Sequence, residues 1–137
     1  MAHLEFQKKN KVTLGFAAQS IGTTTITGTY WSMAGAHHAA VVFVVGTVTA
    51  AITLSVNQGN APLATPATAA TISGKTVTLG TSDSDSIQII EIEASELNVA
   101  SAYFSIACKA VAAGAGAVVG ATVIRVPLRH EPATYIT

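Results

Sequence analysis

The 18 residues from Ala39 to Val56 read AAVVFVVGTVTAAITLSV and decide the fold class of this chain. The stretch carries no charge and is just long enough for one helix to cross a bilayer. Its Val, Ile and Thr content favours strands, however, and Gly46 interrupts it. After the glycine, Ile52, Leu54 and Val56 alternate with polar neighbours, which is the period of a strand. The stretch therefore predicts two β-strands and no membrane span.

The first of these strands, Ala40–Val45, is apolar at every position. A strand that is apolar on both faces is typical of the centre of a sheet that is covered on both sides. Shorter runs with β-branched residues or alternating polarity recur along the rest of the chain and predict further strands. The predicted strands are 12–16, 23–30, 40–45, 52–57, 70–72, 76–79, 87–93, 102–110 and 118–126.

Three connections between strands have recognisable local sequences. Glycine and small polar residues favour turns, and alanine-rich glycine loops can join the strands of a hairpin. A serine near the start of a short polar segment favours one helical turn. The predictions are a turn at Gly74-Lys75, a helical turn over Ala94–Asn98 and a hairpin loop over Ala113–Ala117.

Eight or nine short strands without a long helical period predict an all-β chain, folded as an antiparallel β-sandwich. Strand order cannot be read from the sequence, so the jelly-roll and immunoglobulin-like arrangements both stay open. Residues 12–127 form the predicted sandwich domain. Residues 1–11 form a polar N-terminal arm that lacks the features of a secretory signal, and residues 128–137 form an extended C-terminal tail.

The charge of the chain is low and balanced. Charged residues make up 10% of the 137 residues, and seven Lys and Arg balance seven Asp and Glu. A nucleic-acid-binding protein would carry a basic excess, and a disulfide scaffold would need more than one cysteine. A neutral chain tends to associate. Its surface is therefore either rich in threonine around a compact core or covered by neighbouring subunits.

The residues that could carry chemistry do not form a known catalytic or metal-binding motif. His37 and His38 are adjacent, so on a strand they point to opposite sides. Asp83 and Asp85 lack the glycine and the closing glutamate of a calcium loop. Cys108 alternates with Phe104 and Ile106, which predicts a buried face that contains all three side chains. We expect neither an enzyme nor a bound cofactor.

Two long stretches and the end of the chain resemble small structural proteins of tailed bacteriophages. The first stretch is TYWSMAGAHHAAVVFVVGTVTAAITLSVNQGNA, from Thr29, and the second is IIEIEASELNVASAYFSIACKAV, from Ile89. The closing IRVPLRHEPAT is similar to the C-terminal strand and proline-bearing tail of that family. The resemblance covers residues 29–134 and has no catalytic motif.

The resemblance implies a capsid decoration or cement subunit on the surface of the virion, made in the cytoplasm of the bacterial host. Its implied partners are the major capsid protein and copies of itself, with a trimer favoured and with neither nucleic acid nor membrane as a partner. The alternatives are a head–tail joining or tail protein and a carbohydrate-binding surface module.

Ten residues are candidates for the interfaces of such a subunit. Lysines and arginines near the two termini would act as charged anchors. Glu91 and Glu93 share one strand face about 7 Å apart, where they would pair with basic groups across a strand or an interface. Aromatic residues near the central strand would fill the core or anchor a partner. The candidates are Lys8, Lys9, Lys11, Tyr30, Trp31, His37, Glu91, Glu93, Arg125 and Arg129.

Overall fold

The computed structural model describes residues 6, 9–61, 66, 68–114 and 116–127. These residues contain nine strands and three single 3-10 turns, so the all-β prediction is confirmed. The strands are β1 (Lys11–Ile21), β2 (Thr25–Thr27), β3 (Trp31–Ser32), β4 (Ala36–Val48), β5 (Ile52–Gly59), β6 (Ala69–Leu79), β7 (Ser86–Glu93), β8 (Ser105–Ala112) and β9 (Ala117–Pro127). The 3-10 turns are Thr81–Asp83, Ala94–Glu96 and Val99–Ser101.

Two antiparallel sheets form the predicted sandwich. The first sheet has the order β1-β9-β4-β7 and the second has the order β2-β8-β5-β6, with β3 also paired to β8. When β2 and β3 are counted as one interrupted strand, the two sheets contain strands 1-8-3-6 and 2-7-4-5 of an eight-stranded chain. This is the strand order of a jelly roll, built from two Greek keys. The structure therefore decides between the two sandwich arrangements.

The stretch that decides the fold class forms β4 and β5, one in each sheet. Val41, Phe43 and Val45 of β4 point into the core, where they meet the inward side chains of the second sheet, including Leu54 and Ile106. This alternation buries every second residue of β4, as the pleat of a strand requires. Among the described residues there is no helix long and apolar enough to span a bilayer.

The hairpin that was expected at Ala113–Ala117 does not form, because β8 and β9 belong to different sheets. The chain crosses from one sheet to the other at this point, and Gly116 makes the crossing possible. Its φ is +82°, and a Cβ at this position would overlap the backbone carbonyl of Ile21. Only glycine accepts both conditions without strain. A glycine-rich loop predicted a tight turn, but local sequence does not say which strands the turn joins.

The predicted turn at Gly74-Lys75 is also wrong, because both residues lie inside the continuous strand β6. Thr71 pairs with Asn57 and Thr76 pairs with Ser55. The segment of β6 between these two pairs is therefore longer than the segment of β5 that lies opposite it. This is a bulge, and Gly74 supplies the positive φ of +76° that it needs. The helical turn expected over Ala94–Asn98 is confirmed as the 3-10 turn Ala94–Glu96.

The strand expected over 102–110 is shifted toward the C-terminus. It begins at Ser105, so Phe104 precedes it and is 40% exposed, whereas Tyr103 is buried. Ile106 and Cys108 are fully buried, as the alternation predicted. The prediction that Phe104 shares their buried face is therefore wrong. The backbone N–H of Phe104 donates a hydrogen bond to the oxygen of Gly59, but β8 begins one residue later and the Phe104 ring is left partly exposed.

Candidate interaction surface

The outer side of the first sheet carries an exposed apolar surface, which we call the apolar face. Strands β1, β9, β4 and β7 contribute to it, and their outward side chains lie next to one another in the antiparallel registers. Its most exposed members are between 43% and 63% accessible. The apolar face consists of Val12, Leu14, Ala40, Val42, Val44, Ile87, Ile89, Val118, Thr122 and Ile124.

Strand β4 lies at the centre of its sheet, as predicted, but the described residues cover only one of its two sides. Phe43 is fully buried between the sheets, whereas Val44 on the opposite side is 56% exposed. The expectation of cover on both sides is therefore wrong for the described part of the chain. The sequence signal for the apolar face was nevertheless present, because Ala40–Val45 is apolar at every position and Ile87, Ile89 and Ile90 place isoleucine on both sides of β7.

One end of the apolar face is bordered by charge. Glu91 and Glu93 are both exposed on the outer side of β7, as the alternation predicted. His38 of β4 lies beside them, with its Nε2 atom 3.6 Å from Oε1 of Glu91. His37 is exposed, and its Nδ1 atom lies 2.9 Å from the backbone oxygen of Pro127. Within the chain Glu91 therefore contacts a histidine, and pairing of the two glutamates with Lys or Arg across an interface stays a prediction.

Two other candidates, Tyr30 and Arg125, are buried inside the chain. Tyr30 is 3% exposed and Arg125 is fully buried, so neither is an exposed anchor for a partner. The Nη1 atom of Arg125 donates a hydrogen bond of 2.6 Å to the backbone oxygen of Ser32. Its guanidinium also lies over the ring of Trp31, 5.5 Å from the ring centroid. Burial lowers the pKa of the Arg125 guanidinium from its ordinary value.

Trp31 joins this buried arginine to the first strand of the chain. Its Nε1–H group donates a hydrogen bond of 2.8 Å to the backbone oxygen of Leu14 in β1. The indole is partly buried and packs against the core. A hydrogen bond and a cation–π contact both hold the ring in place, so Trp31 connects the edge of the first sheet to the β3 segment. The geometry assigns this cluster to the stability of the fold.

The terminal lysines and arginines lie at the limits of the described chain. Lys9 and Lys11 are exposed beside the start of β1. Lys8 and Arg129 lie outside the described residues, as do most of the predicted arm and the predicted tail. Their roles as charged anchors stay predictions.

Metal-ligating side chains do not cluster in the described part of the chain, where no group of three His, Cys, Asp or Glu residues could hold an ion. The carboxylate of Asp83 accepts a hydrogen bond of 2.8 Å from the backbone N–H of Gly80, three residues earlier in the chain. This contact caps the 3-10 turn that precedes β7.

Cys108, the one cysteine of the sequence, is fully buried in the core. Desolvation raises the pKa of its thiol from 9.0 to about 12. At pH 8 only about one thiol in ten thousand would be ionised, and the thiolate is the reactive form. We therefore expect no reaction of the folded protein with Ellman's reagent and full reaction after unfolding in guanidinium. Rapid labelling without denaturant would contradict the buried position of this side chain.

Comparison with known proteins finds a shared fold but no family. No known protein family and no curated protein matches the sequence. The SPBc2 prophage-derived protein YomS aligns with 85% of this chain and 92% of its own, with a TM-score of 0.51 and 11% identity. The PBSX exported protein XepA aligns with 88% of this chain, with a TM-score of 0.57 and 8% identity, and this chain spans 38% of XepA.

A structure from the disulfide-linked pili of Bacillus endospore appendages aligns with 89% of this chain and 91% of its own, with 14% identity. Its TM-score is 0.48. At these identities the similarities concern the fold alone. The chain is thus similar in fold to YomS and XepA.

Proposed function

We propose that this chain is a structural subunit of a bacteriophage particle, and within it a capsid decoration or cement subunit that binds the assembled lattice of the major capsid protein. Three features support the proposal. The sequence resembles phage structural proteins, the fold is similar to that of prophage-derived YomS and of the PBSX exported protein XepA, and the formal net charge is zero.

The observation that carries the proposal is the apolar face. Large apolar patches on a single subunit commonly mark an interaction surface, because covering them removes apolar area from water. Val44, Ile87 and Ile89 are each more than half exposed on this one sheet. A subunit that works inside a large assembly would have such a surface covered by its neighbours.

The mechanism of a cement subunit follows from linkage. A protein that binds the assembled lattice, and not the separate capsid proteins, adds its binding free energy to the stability of the lattice. Many identical contacts around a shell act together through multivalency, so each can be weak. A surface with few charges also loses little solvation of charge when it is covered. Exposed Lys9, Lys11, Glu91 and Glu93 would supply the charged contacts at the borders.

The test is to add the purified protein to expanded capsids that were assembled without it. We expect saturable binding and a rise in the temperature at which the capsids disrupt in a calorimeter, with no binding to unexpanded procapsids. Removing residues 1–10, which precede β1, should weaken binding while the thermal unfolding of the free protein stays unchanged. Absence of binding to expanded capsids would overturn the cement role.

The same preparations separate the alternatives. A head–tail joining or tail protein would leave capsids unchanged and appear at the neck or tail of labelled virions in electron micrographs. A carbohydrate-binding module would give saturable hits on a glycan array and no effect on capsid stability.

A further inference from the structure

The apolar face is a continuous array of side chains that contains no charged residue. In one cross-strand row Leu14, Thr122, Val42 and Ile89 are neighbours on four successive strands. The rows on either side continue this pattern, with Val12, Ile124 and Ala40 on one side and Val44 and Ile87 on the other. Glu91 stands at the end of the first of these rows and marks the border of the apolar face.

The outer side of the second sheet is chemically different. One cross-strand row contains Thr27, Lys109, Ser55 and Thr76, and the next contains Thr25, Val111, Thr53 and Thr78. Hydroxyl groups and one lysine suit contact with water, whereas the apolar face has no hydrogen-bonding side chain except Thr122. Only one of the two outer surfaces of the sandwich therefore has the composition of a buried layer.

We infer that a second copy of this chain covers the apolar face, with the first sheet of one copy stacked on the first sheet of the other. The six most exposed side chains of the face leave about 500 Å² of apolar surface open, which is near the upper end for the largest patch of an ordinary monomer. Two such faces would together bury about 1,000 Å², which is the area that a biological interface is expected to reach.

The chemistry of the face favours a copy of itself as the occupant. The face of one pleated sheet can pack against the face of another, and such sheets stack about 10 Å apart. Two copies of a chain with zero net charge do not repel each other at long range. An apolar face without charge also offers a charged partner no complementary group.

The charged border is compatible with both two-fold arrangements of the stacked sheets. A two-fold axis in the interface and parallel to the strands would place β7 of one copy over β1 of the other, because these strands are the two edges of the sheet. A two-fold axis in the interface and perpendicular to the strands would stack β7 on β7 with its ends exchanged. In both arrangements Glu91 and Glu93 of the two copies lie apart, so the carboxylates do not oppose a dimer.

The test is sedimentation equilibrium of the full-length protein at several concentrations between about 1 and 300 μM, a range that covers micromolar dissociation constants. We expect a species of twice the 13.9 kDa of the chain. The variant Ile89→Lys should weaken the dimer at least 100-fold, roughly, because each dimer would bury two unpaired charges. Ile89→Thr, which keeps a β-branched residue in the strand, serves if the lysine variant does not fold.

The matched control is Val99→Lys. Val99 is 72% exposed in a 3-10 turn away from the apolar face, so the same charge there should leave the dimer unchanged. A wild-type protein that stays monomeric over the whole range would overturn the inference. So would a dimer or a trimer that Ile89 variants leave intact. The inference concerns the same apolar face as the proposed function, but the measurement uses no capsid, so failure of the dimer and failure of capsid binding can be distinguished.

A single new thiol gives a second readout. Cys108 is the one native cysteine and is buried, so Ile89→Cys introduces the one accessible thiol of the chain. Its rate of reaction with a maleimide should fall as the protein concentration rises through the dissociation constant. The thiol of Val99→Cys should react at the same rate at every concentration. Equal concentration dependence at the two positions would contradict cover of the apolar face by a second copy.

Discussion

Phe43→Ala should lower the free energy of unfolding by about 3–5 kcal/mol, the range for truncating a large buried aromatic side chain. Phe43 is fully buried on the inner side of β4, at the centre of the first sheet. Its ring centroid lies 6.3 Å from that of Phe16, with the rings tilted by 53°. The substitution would remove the ring, its contact with Phe16 and part of the contact between the two sheets. Equilibrium unfolding in urea measures the loss.

Phe104→Ala is the matched control, because it makes the same chemical change at an exposed position. The Phe104 side chain is 40% exposed and precedes β8, so we expect a loss of no more than about 1 kcal/mol. The ratio of the two losses tests where β8 begins. Equal losses at the two positions would mean that Phe104 belongs to the core, contrary to its position in the structure.

Arg125→Ala should destabilise the protein by about 3 kcal/mol or more, because a buried cation with specific contacts is replaced by a cavity. The backbone oxygen of Ser32 would lose the donor that lies 2.6 Å away, and Ser32 itself is buried. The Trp31 ring would lose the guanidinium over its face. Urea unfolding measures the loss.

Two further variants separate the contributions of Arg125. Arg125→Lys keeps a positive charge but loses the planar group, so it should retain only part of the stability. Arg125→Met fills much of the volume without donating a hydrogen bond. Trp31 is the one tryptophan of the chain, so its fluorescence reports directly on this cluster in the folded state. Stability and emission that are unchanged in all three variants would show that Arg125 has no structural role.

The burial of Arg125 also shows how far alternation in the sequence can be used. In β9, Val119, Ala121 and Val123 all point into the core, and Arg125 continues the same series. Because Arg125 lies two positions after Val123, strand alternation predicted an inward side chain. Its charge favoured the opposite prediction, because an arginine is rarely buried without a partner. The partners come from Ser32 and Trp31, more than 90 residues away in the sequence.

For Glu91, Glu93 and the apolar face, the alternation of a strand predicted part of what the structure shows. The exposure of both glutamates could be predicted, because strand alternation alone sets them on the outer side of β7. The run Ala40–Val45 indicated correctly that both sides of β4 are apolar. Whether a sheet, a loop or another molecule covers the outer side depends on the packing of the whole chain. The same run could therefore not identify the exposed side or its neighbours.

The sequence by itself determined the fold class. Alternating polarity in segments rich in β-branched residues reflects the pleat of a strand, and closely spaced turns keep the strands short. The sequence also determined the inward series of β5 and the absence of charge from both sides of β4 between Ala40 and Val45. Only the tertiary structure decided that the sandwich is a jelly roll, that β8 and β9 lie in different sheets and that Arg125 is buried. These features depend on contacts between residues far apart in the chain, and local periodicity carries no information about which distant strands pair.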